Sequence, residues 1–238
     1  MTVDILAIAA HRDDVELTCA GTLIKAKKLG RTTAVIDLTA GEMGTMGDAK
    51  SRAFEAEASA KVMGLSAREN LGLPDAAIVN DPATRERLAR LIRKFKPRVV
   101  IAPARHGRHP DHRATAELVR DASFIAGLAK VAPDIPKHRP FKILHCVSFR
   151  QDFEKPTFVV DISDEFEQKL QAIKCFSTQF DGAAQAGEVY PTGESLYDTI
   201  RQQSAGYGAM IRRRHGEPFF TTETMRVDDV AALEVSTF

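Results

Sequence analysis

Short apolar runs alternate with longer amphipathic stretches along the first hundred residues of the chain. The apolar runs are rich in Ile, Val and Leu and predict four strands, at Val3–Ala10, Thr33–Leu38, Asn70–Leu73 and Val99–Ala102. Between the strands, apolar residues at helical spacing predict one helix that ends at Gly30, one over Ala49–Met63, and one that begins at Asp81-Pro82 and ends before Pro97. Strands that alternate with helices in this way indicate βαβ units and a parallel sheet.

The second half of the chain continues the alternation less regularly. Its pattern predicts a helix near Arg113–Leu128, strands near Ile143–Phe149 and Thr157–Ile162, a helix from about Asp164 to Phe176, a loop over Gln179–Gly193, and a helix near Leu196–Ile211 that completes the chain. Because βαβ crossovers are right-handed, helices should cover both faces of the sheet. We therefore expect an α/β fold of the Rossmann-like, doubly wound type, with a mostly parallel sheet. No repeat or composition shift divides the sequence, so we expect one domain over residues 1–238.

Positive and negative charges nearly cancel along the chain. Lys and Arg number 33 and Asp and Glu number 32, which leaves a formal net charge of +1 over 238 residues. Proteins that bind nucleic acid non-specifically carry a basic excess that this chain lacks, so we expect no nucleic-acid partner. With 44% hydrophobic residues the composition is also unlike that of a disordered chain.

The cysteines and the apolar runs bear on the cellular setting. Cys19, Cys146 and Cys175 are too few and too scattered for a disulfide framework or a cysteine zinc motif, which favours a reducing, cytoplasmic location. The N-terminal apolar run is too short for a signal-peptide core, and no stretch approaches the ~20 apolar residues that span a bilayer. We therefore expect no membrane partner.

Two polar clusters follow predicted strands directly. The first is His11-Arg12-Asp13-Asp14, after strand one, and the second runs from Arg105 to His112, after strand four. In the common strand order 3-2-1-4-5, strands one and four are neighbours and the order reverses between them. Ligands of open α/β sheets bind at that reversal, outside the carboxyl ends of the strands. The fold prediction alone therefore brings the two clusters into one crevice.

The residue types in these clusters indicate a metal site. Histidine nitrogen and carboxylate oxygen are zinc ligands, and a catalytic site keeps three of them. His11 and Asp14 are three residues apart and can face one point if a helix begins there, whereas Asp13 should point elsewhere, at a water. Pro110 suits the first position of a helix, which puts His109 near its cap and His112 in its first turn. Either of these two histidines would complete a two-His, one-carboxylate set and leave the other for acid or electrostatic work.

Other chemistries are less well supported. His-x-x-Asp and His-Pro-Asp-His are each common by chance, but four of the seven histidines lie in the two clusters. Two His and one carboxylate also form the facial triad of non-haem Fe(II) oxygenases, although Asp13 suits hydrolysis better. A metal- or sugar-binding domain without catalysis is a further alternative. A dehydrogenase is disfavoured because the glycine fingerprint of dinucleotide-binding proteins is absent after strand one. A serine hydrolase is disfavoured because no Gly-x-Ser-x-Gly elbow occurs.

At these residues the sequence resembles the PIG-L or LmbE-like family of zinc-dependent N-acetylglucosamine deacetylases. The family motifs Ala-His-Pro-Asp-Asp and His-x-x-His stand here as Ala10-His11-Arg12-Asp13-Asp14 and His109-Pro110-Asp111-His112. Further similarity lies at residues 37–39, 41–45, 70–75, 177–180, 207–208 and 216–219, so it covers almost the whole chain. Within this family, the sequence resembles most the branch that deacetylates N-acetylglucosaminyl-malate in bacillithiol biosynthesis.

The resemblance implies a role for each matching residue. The zinc ligands would be His11, Asp14 and His112. Asp13 would be the general base, His109 a charged imidazole that faces the oxyanion, and Asp111 its orienting partner. Arg52 and Arg108 match positions that contact substrate. Arg12 replaces the family proline, and we expect it to point outward as a surface residue.

The resemblance also implies the cofactor and the partners. The cofactor would be Zn²⁺, with Fe²⁺ as the alternative in vivo. The substrate would be a small acidic sugar conjugate, with a chitooligosaccharide or an inositol conjugate of N-acetylglucosamine as alternatives. Close relatives form homo-oligomers, often hexamers, so we expect a homo-oligomer.

Overall fold

The computed structural model describes residues 1–147, 155–181 and 195–234. Its strands are β1 (Ile5–Ala9), β2 (Thr33–Thr39), β3 (Ala67–Leu73), β4 (Val99–Ala102), β5 (Lys142–Cys146), β6 (Phe158–Asp161) and β7 (Gly216–Phe220). Its α-helices are α1 (Asp14–Thr18), α2 (Ala20–Lys28), α3 (Ala49–Met63), α4 (Pro82–Phe95), α5 (Pro110–Ile125), α6 (Phe166–Lys174), α7 (Ser177–Phe180) and α8 (Leu196–Met210). A short 3₁₀ turn at Val230–Ala232 follows β7.

The strands form one seven-stranded sheet in the order β3-β2-β1-β4-β5-β7-β6. The first five strands in this order pair in parallel, and β7 is antiparallel to both β5 and β6. This confirms the predicted α/β fold with a mostly parallel, doubly wound sheet. The order reverses between β1 and β4, so their carboxyl ends share the crevice that the sequence predicted.

Both faces of the sheet are buried, as expected for parallel strands between helices. Every residue of β2 is buried. On one face, Leu6 and Ile36 pack with residues of α4 and α5, such as Leu88 and Leu118. On the other face, Val35 packs with Leu23 and other residues of the α2 side.

Local capping signals account for the helix boundaries. Asp48 accepts a hydrogen bond from Ser51 N and forms a capping box at the start of α3, which ends at Gly64 in a left-handed conformation (φ 68°). Asp81 caps α4 by accepting from Thr84 N, with Pro82 in the first turn. The chain turns into α5 directly at His109-Pro110, which positions the second polar cluster at a helix start.

The prediction that a helix completes the chain is wrong, because β7 follows α8. Glu217 and Pro218 interrupt the apolar pattern of this strand, and the Glu217 side chain is buried because it pairs with Lys169, at 2.6 Å. The start of the predicted 179–193 loop is also different, since Gln179 belongs to the short helix α7. Residues 182–193 of that loop, and residues 148–149 of the predicted fifth strand, lie outside the described residues.

Across the described ranges, no helix combines the length and the apolar character needed to cross a bilayer.

Candidate active site

Three side chains converge where β1 and β4 end. His112 Nε2 lies 3.1 Å from Asp14 Oδ1 and 3.3 Å from His11 Nδ1, and His11 Nδ1 lies 3.4 Å from Asp14 Oδ2. Ligands around one zinc ion at ~2.1 Å in a tetrahedron stand about 3.4 Å apart. The His11, His112 and Asp14 donors therefore suit one metal ion in chemistry and in approximate spacing, with a different oxygen of Asp14 facing each histidine.

Two helix starts bring these donors together. Asp14 is the first residue of α1, and its Oδ2 accepts a hydrogen bond from His11 N at 2.9 Å, which ties the end of β1 to the start of the helix. His109 is the N-cap of α5 and Pro110 its first residue, so His112 lies in the first turn. The three-residue spacings in both motifs thus follow from a strand that turns directly into a helix.

A second group of acids faces the other nitrogen of His11. Its Nε2 lies 3.1 Å from Asp75 Oδ1 and 3.4 Å from Asp111 Oδ2. The Asp111 carboxylate also accepts backbone hydrogen bonds, from Ala76 N at 2.8 Å and Ile78 N at 3.3 Å. Donor atoms of His11, His109 and Asp111 lie close enough to form an alternative metal group. Backbone N–H groups engage both oxygens of Asp111, whereas the backbone hydrogen bond shown for Asp14 involves Oδ2 and leaves Oδ1 beside His112, so the group with Asp14 and His112 is the better candidate.

Sequence reasoning missed Asp75 as a residue of the site. It follows β3, whose carboxyl end lies at the same edge of the sheet as those of β1 and β4. Asp75 Oδ2 also accepts from Met43 N at 2.9 Å, which connects it to the loop after β2 that contains Gly41, Gly44 and Gly47. The available signal was its position two residues after a predicted strand.

Asp13 lies beside the donor group and contacts Arg52. Arg52 Nη2 is 3.3 Å from Asp13 Oδ2, and Arg52 Nη1 donates to Gly41 O at 2.9 Å. The arginine is only 4% exposed. Gly41 has a φ of 72°, which favours glycine, and a Cβ there would lie 2.0 Å from Arg52 Nη1, so a side chain at position 41 would displace the guanidinium. The predicted contact of Arg52 with substrate stays a prediction.

His109 has one ring nitrogen engaged by its own helix. Its Nδ1 accepts a hydrogen bond from Asp111 N at 3.2 Å. Its ring centroid lies 4.8 Å from that of His11 and 5.0 Å from that of His112. With Nδ1 as an acceptor, Nε2 carries the proton of the neutral ring and is the atom available to a ligand. Asp111 therefore orients His109 through its backbone N–H.

The two remaining arginines of interest lie at the edges of the site. Arg108 is exposed one residue before the cap of α5, and its carbonyl accepts from Arg113 Nη1 at 2.9 Å. Arg12 is half-buried, because its Nη1 reaches the start of α3 and donates to Ala49 O at 2.6 Å. The expectation that Arg12 points outward is therefore wrong.

A buried ion-pair network around Arg68 contacts the backbone of the first polar cluster, residues 11–14. Arg68 lies 2.8 Å from Asp37 Oδ2 and 2.6 Å from Glu16 Oε1, and it also donates to the carbonyl of Arg12. The two acids raise the pKa of Arg68 although burial opposes them. Because the arginine bonds to the backbone of the cluster, it holds the turn between β1 and α1. Sequence reasoning did not identify this network.

The charges of the donor group favour a bound cation. Burial lowers the pKa of His11, but the hydrogen bond and the charge of Asp14 outweigh it and raise the pKa to about 9. Burial raises the pKa of Asp14, but His112 and His11 outweigh it and hold the pKa well below its usual range. Asp14 is thus an anion at neutral pH, and a metal ion would replace a proton on the histidine.

The pKa values of Asp13 and His109 shift in directions that suit acid–base catalysis. Burial raises the pKa of Asp13 against the opposing charge of Arg52. Burial and the positive charges of His11 and His112 lower the pKa of His109, which favours its neutral form.

Known proteins are similar to this chain in sequence and in fold. The family model described as PIG-L: GlcNAc-PI de-N-acetylase matches residues 6–123, which contain both clusters. The diacetylchitobiose deacetylase of Thermococcus kodakarensis is 29% identical over 224 residues, which cover 90% of this chain and 80% of that protein. The 1D-myo-inositol 2-acetamido-2-deoxy-alpha-D-glucopyranoside deacetylase of Mycobacterium sp. (strain KMS) is 26% identical over 231 residues, covering 76% of this chain and 75% of that protein.

The fold agrees with a solved structure over nearly its full length. The crystal structure of the conserved protein TT1542 from Thermus thermophilus superposes with a TM-score of 0.85 at 33% identity, covering 95% of this chain and 98% of that one. Together with the matched family model, this similarity shows that the chain belongs to the PIG-L family.

Proposed function

We propose that the chain is a zinc-dependent hydrolase that removes the N-acetyl group from an N-acetylglucosamine conjugate. The observation that carries the proposal is the His11, Asp14 and His112 donor group, at spacings of 3.1 to 3.4 Å, with Asp13 beside it. Two relatives that are similar in sequence to this chain are named as deacetylases of acetamido sugars, which supports hydrolysis of an amide.

Zinc held by these three residues would polarise the acetamide carbonyl as a Lewis acid and lower the pKa of a bound water. Asp13, beside the donor group, would accept the proton of the water molecule that attacks the carbonyl carbon. The raised pKa of Asp13 makes its carboxylate a better proton acceptor than an exposed aspartate. Arg52, which contacts Asp13, keeps the carboxylate in place.

His109 faces the negative charge that forms on the carbonyl oxygen. Its Nδ1 is occupied by Asp111 N, so Nε2–H is the donor to that oxygen. The family resemblance implies a charged imidazole, but the lowered pKa of His109 favours a neutral donor in the metal-free chain. The proton on Asp13 then passes to the leaving nitrogen, the C–N bond breaks, and acetate and a free amine are the products.

The substrate that we propose first is N-acetylglucosaminyl-malate, as in bacillithiol biosynthesis. The exposed Arg108 beside the cap of α5 is the proposed contact for its carboxylates, by bidentate hydrogen bonds. Diacetylchitobiose and an inositol conjugate are alternatives that the relatives' names support equally. We also propose a cytoplasmic homo-oligomer, hexameric if it assembles as close relatives do.

An acetate-release assay tests this function. The purified chain, loaded with Zn²⁺, is given N-acetylglucosaminyl-malate, free N-acetylglucosamine, diacetylchitobiose and the inositol conjugate at equal concentration. We expect release from at least one conjugate and the highest kcat/KM for the malate compound. Release from none of them would contradict the proposed deacetylase activity. A preference for another conjugate would contradict only the proposal that N-acetylglucosaminyl-malate is the substrate. Elemental analysis with an oxygen-uptake assay separates hydrolysis from non-haem iron chemistry.

A further inference from the structure

The last described segment of the chain lies on the surface. All residues from 222 to 234 are exposed, and we call this segment the C-terminal arm. Four large apolar side chains of the arm are between 45% and 79% exposed: Met225, Val227, Val230 and Leu233. The hydrogen bonds and ion pairs shown for residues 224–234 join the arm to itself, as between Arg226 and Asp228 at 3.1 Å. Apolar residues at this density on an arm indicate a surface that another molecule covers.

A groove with complementary chemistry lies where the second half of α5 meets the start of β5. Its volume is about 380 Å³, and we call it the α5 groove. Its walls contain Arg85, Arg120, Asp121, Ser123, Phe124, Ile125, Arg139, Pro140, Phe141, Ile143 and Glu223. The two phenylalanines are 58% and 72% exposed. The groove therefore offers aromatic area and arginine side chains together.

The charges of the two surfaces are opposite. The arm has three acids beyond its first residues, Asp228, Asp229 and Glu234, against one arginine. In the groove, Arg85 is paired with Asp121 at 3.2 Å, and Arg120 and Arg139 against Glu223 leave a net charge of +1. An arm with apolar and acidic residues thus matches a groove with aromatic and basic ones.

We propose that the C-terminal arm of one copy of this chain docks in the α5 groove of a second copy, and that the exchange is reciprocal. Glu223 lines the groove of its own chain, and the exposed apolar residues begin two positions later. The arm therefore extends away from the rest of its own chain at the edge of the α5 groove. A twofold axis close to Glu223 brings each arm to the other copy's groove, and in a hexamer this exchange would form one of the interfaces. This proposal does not depend on the proposed deacetylase activity.

Charge reversal tests the pairing of the two surfaces. One variant carries Arg120→Glu and Arg139→Glu in the groove, and the other carries Asp228→Lys and Asp229→Lys in the arm. Each alone places like charges together, so we expect its dissociation constant in sedimentation velocity to rise roughly tenfold or more. An equimolar mixture, and a chain that carries all four substitutions, pair opposite charges again and should recover the wild-type association.

The controls separate docking from folding. Glu57→Lys with Lys61→Glu reverses an exposed pair on α3 and should leave association unchanged. Val230→Asp with Leu233→Asp removes the apolar contacts of the arm and should weaken association without a change in the thermal midpoint of the dissociated chain. The zinc content of every variant should equal that of the wild type.

Three results would overturn the proposal. The first is a wild-type chain that stays monomeric from ~1 to ~100 µM, whether or not its arm binds another protein or an anionic vesicle. The second is an oligomer whose size and dissociation constant none of the arm variants changes. The third is a mixture of the two charge-reversed variants that associates no better than either alone.

Discussion

The carboxylate of Asp75 and the ring of His11 form a second contact at the donor group. Asp75 Oδ1 is 3.1 Å from His11 Nε2, whereas Asp14 approaches the opposite nitrogen, Nδ1. A carboxylate on the far nitrogen fixes the tautomer and orientation of a metal-binding histidine. Asp75 therefore presents Nδ1 of His11 to the position that the other two donors share.

Removing this carboxylate should weaken metal binding. For Asp75→Asn we expect a zinc affinity lower by roughly 10- to 100-fold, because the amide holds the His11 tautomer less firmly. Competition with a chromophoric chelator measures the affinity, and Asp75→Glu should recover part of it. Asp134→Asn, at an exposed carboxylate that pairs with Arg90, is the control. An Asp75→Asn chain with wild-type affinity would show that Asp75 does not position His11.

The two histidines of the second motif should separate in their effects. His112→Ala removes a donor atom, so we expect zinc content well below one ion per chain after dialysis. His109→Ala leaves the three donors in place and should retain zinc while turnover falls by ~10²- to 10³-fold. Elemental analysis and acetate release measure the two quantities on the same samples. Full zinc content in His112→Ala would refute its role as a ligand and favour the alternative group with His109.

Asp13 should matter to turnover but not to the metal. Asp13→Asn keeps the shape of the side chain and removes the proton acceptor, so we expect kcat to fall by ~10²- to 10⁴-fold with zinc content unchanged. Arg52→Lys keeps a charge but loses the forked contact with Asp13 and Gly41 O, and we expect a smaller fall in kcat. An unchanged kcat in Asp13→Asn would contradict its role as the base.

The sequence predicted the parts of this site that depend on local rules. The clusters after β1 and β4 were identified because strand ends at a reversal of strand order meet, and Pro110 located the start of α5. Asp75 and Arg68 were missed because their roles depend on which side chains meet across the sheet. β7 was missed for the same reason, since the burial of Glu217 depends on Lys169 and on the N–H groups of Gly21 and Thr22, which are distant in sequence. Periodicity reports on the burial of apolar residues and carries no signal for a buried ion pair.

The contact between Asp4 and Thr32 should make stability depend on pH. Asp4 Oδ2 accepts from Thr32 N at 2.8 Å and from Thr32 Oγ1 at 2.9 Å, and these hydrogen bonds lower the pKa of Asp4. A carboxyl with a lowered folded pKa stabilises the fold above its unfolded pKa, and the stabilisation is lost as the pH falls through the folded pKa. Asp4→Asn should therefore lower the thermal midpoint at pH 7, and the difference from wild type should shrink below pH ~4. Thermal unfolding at several pH values measures it, and a difference that grows on acidification would contradict the assignment.

Breaking the buried pair of Lys169 and Glu217 should be among the most destabilising single changes to this chain. Both side chains are 2% exposed, their charged atoms are 2.6 Å apart, and Glu217 also accepts from Gly21 N and Thr22 N at the start of α2. Glu217→Gln leaves the ammonium group of Lys169 buried without a counter-charge, so we expect the free energy of unfolding in urea to fall by about 3–5 kcal/mol.

An exposed pair provides the comparison for Glu217→Gln. Glu57 and Lys61 lie 2.8 Å apart with 63% and 74% of their side chains exposed, and Glu57→Gln should cost less than about 1 kcal/mol. If Glu217→Gln fails to fold, Lys169→Met combined with Glu217→Gln removes the unpaired charge and should recover part of the stability. Equal costs for Glu57→Gln and Glu217→Gln would show that water reaches the pair of Lys169 and Glu217 and that burial does not make its separation expensive.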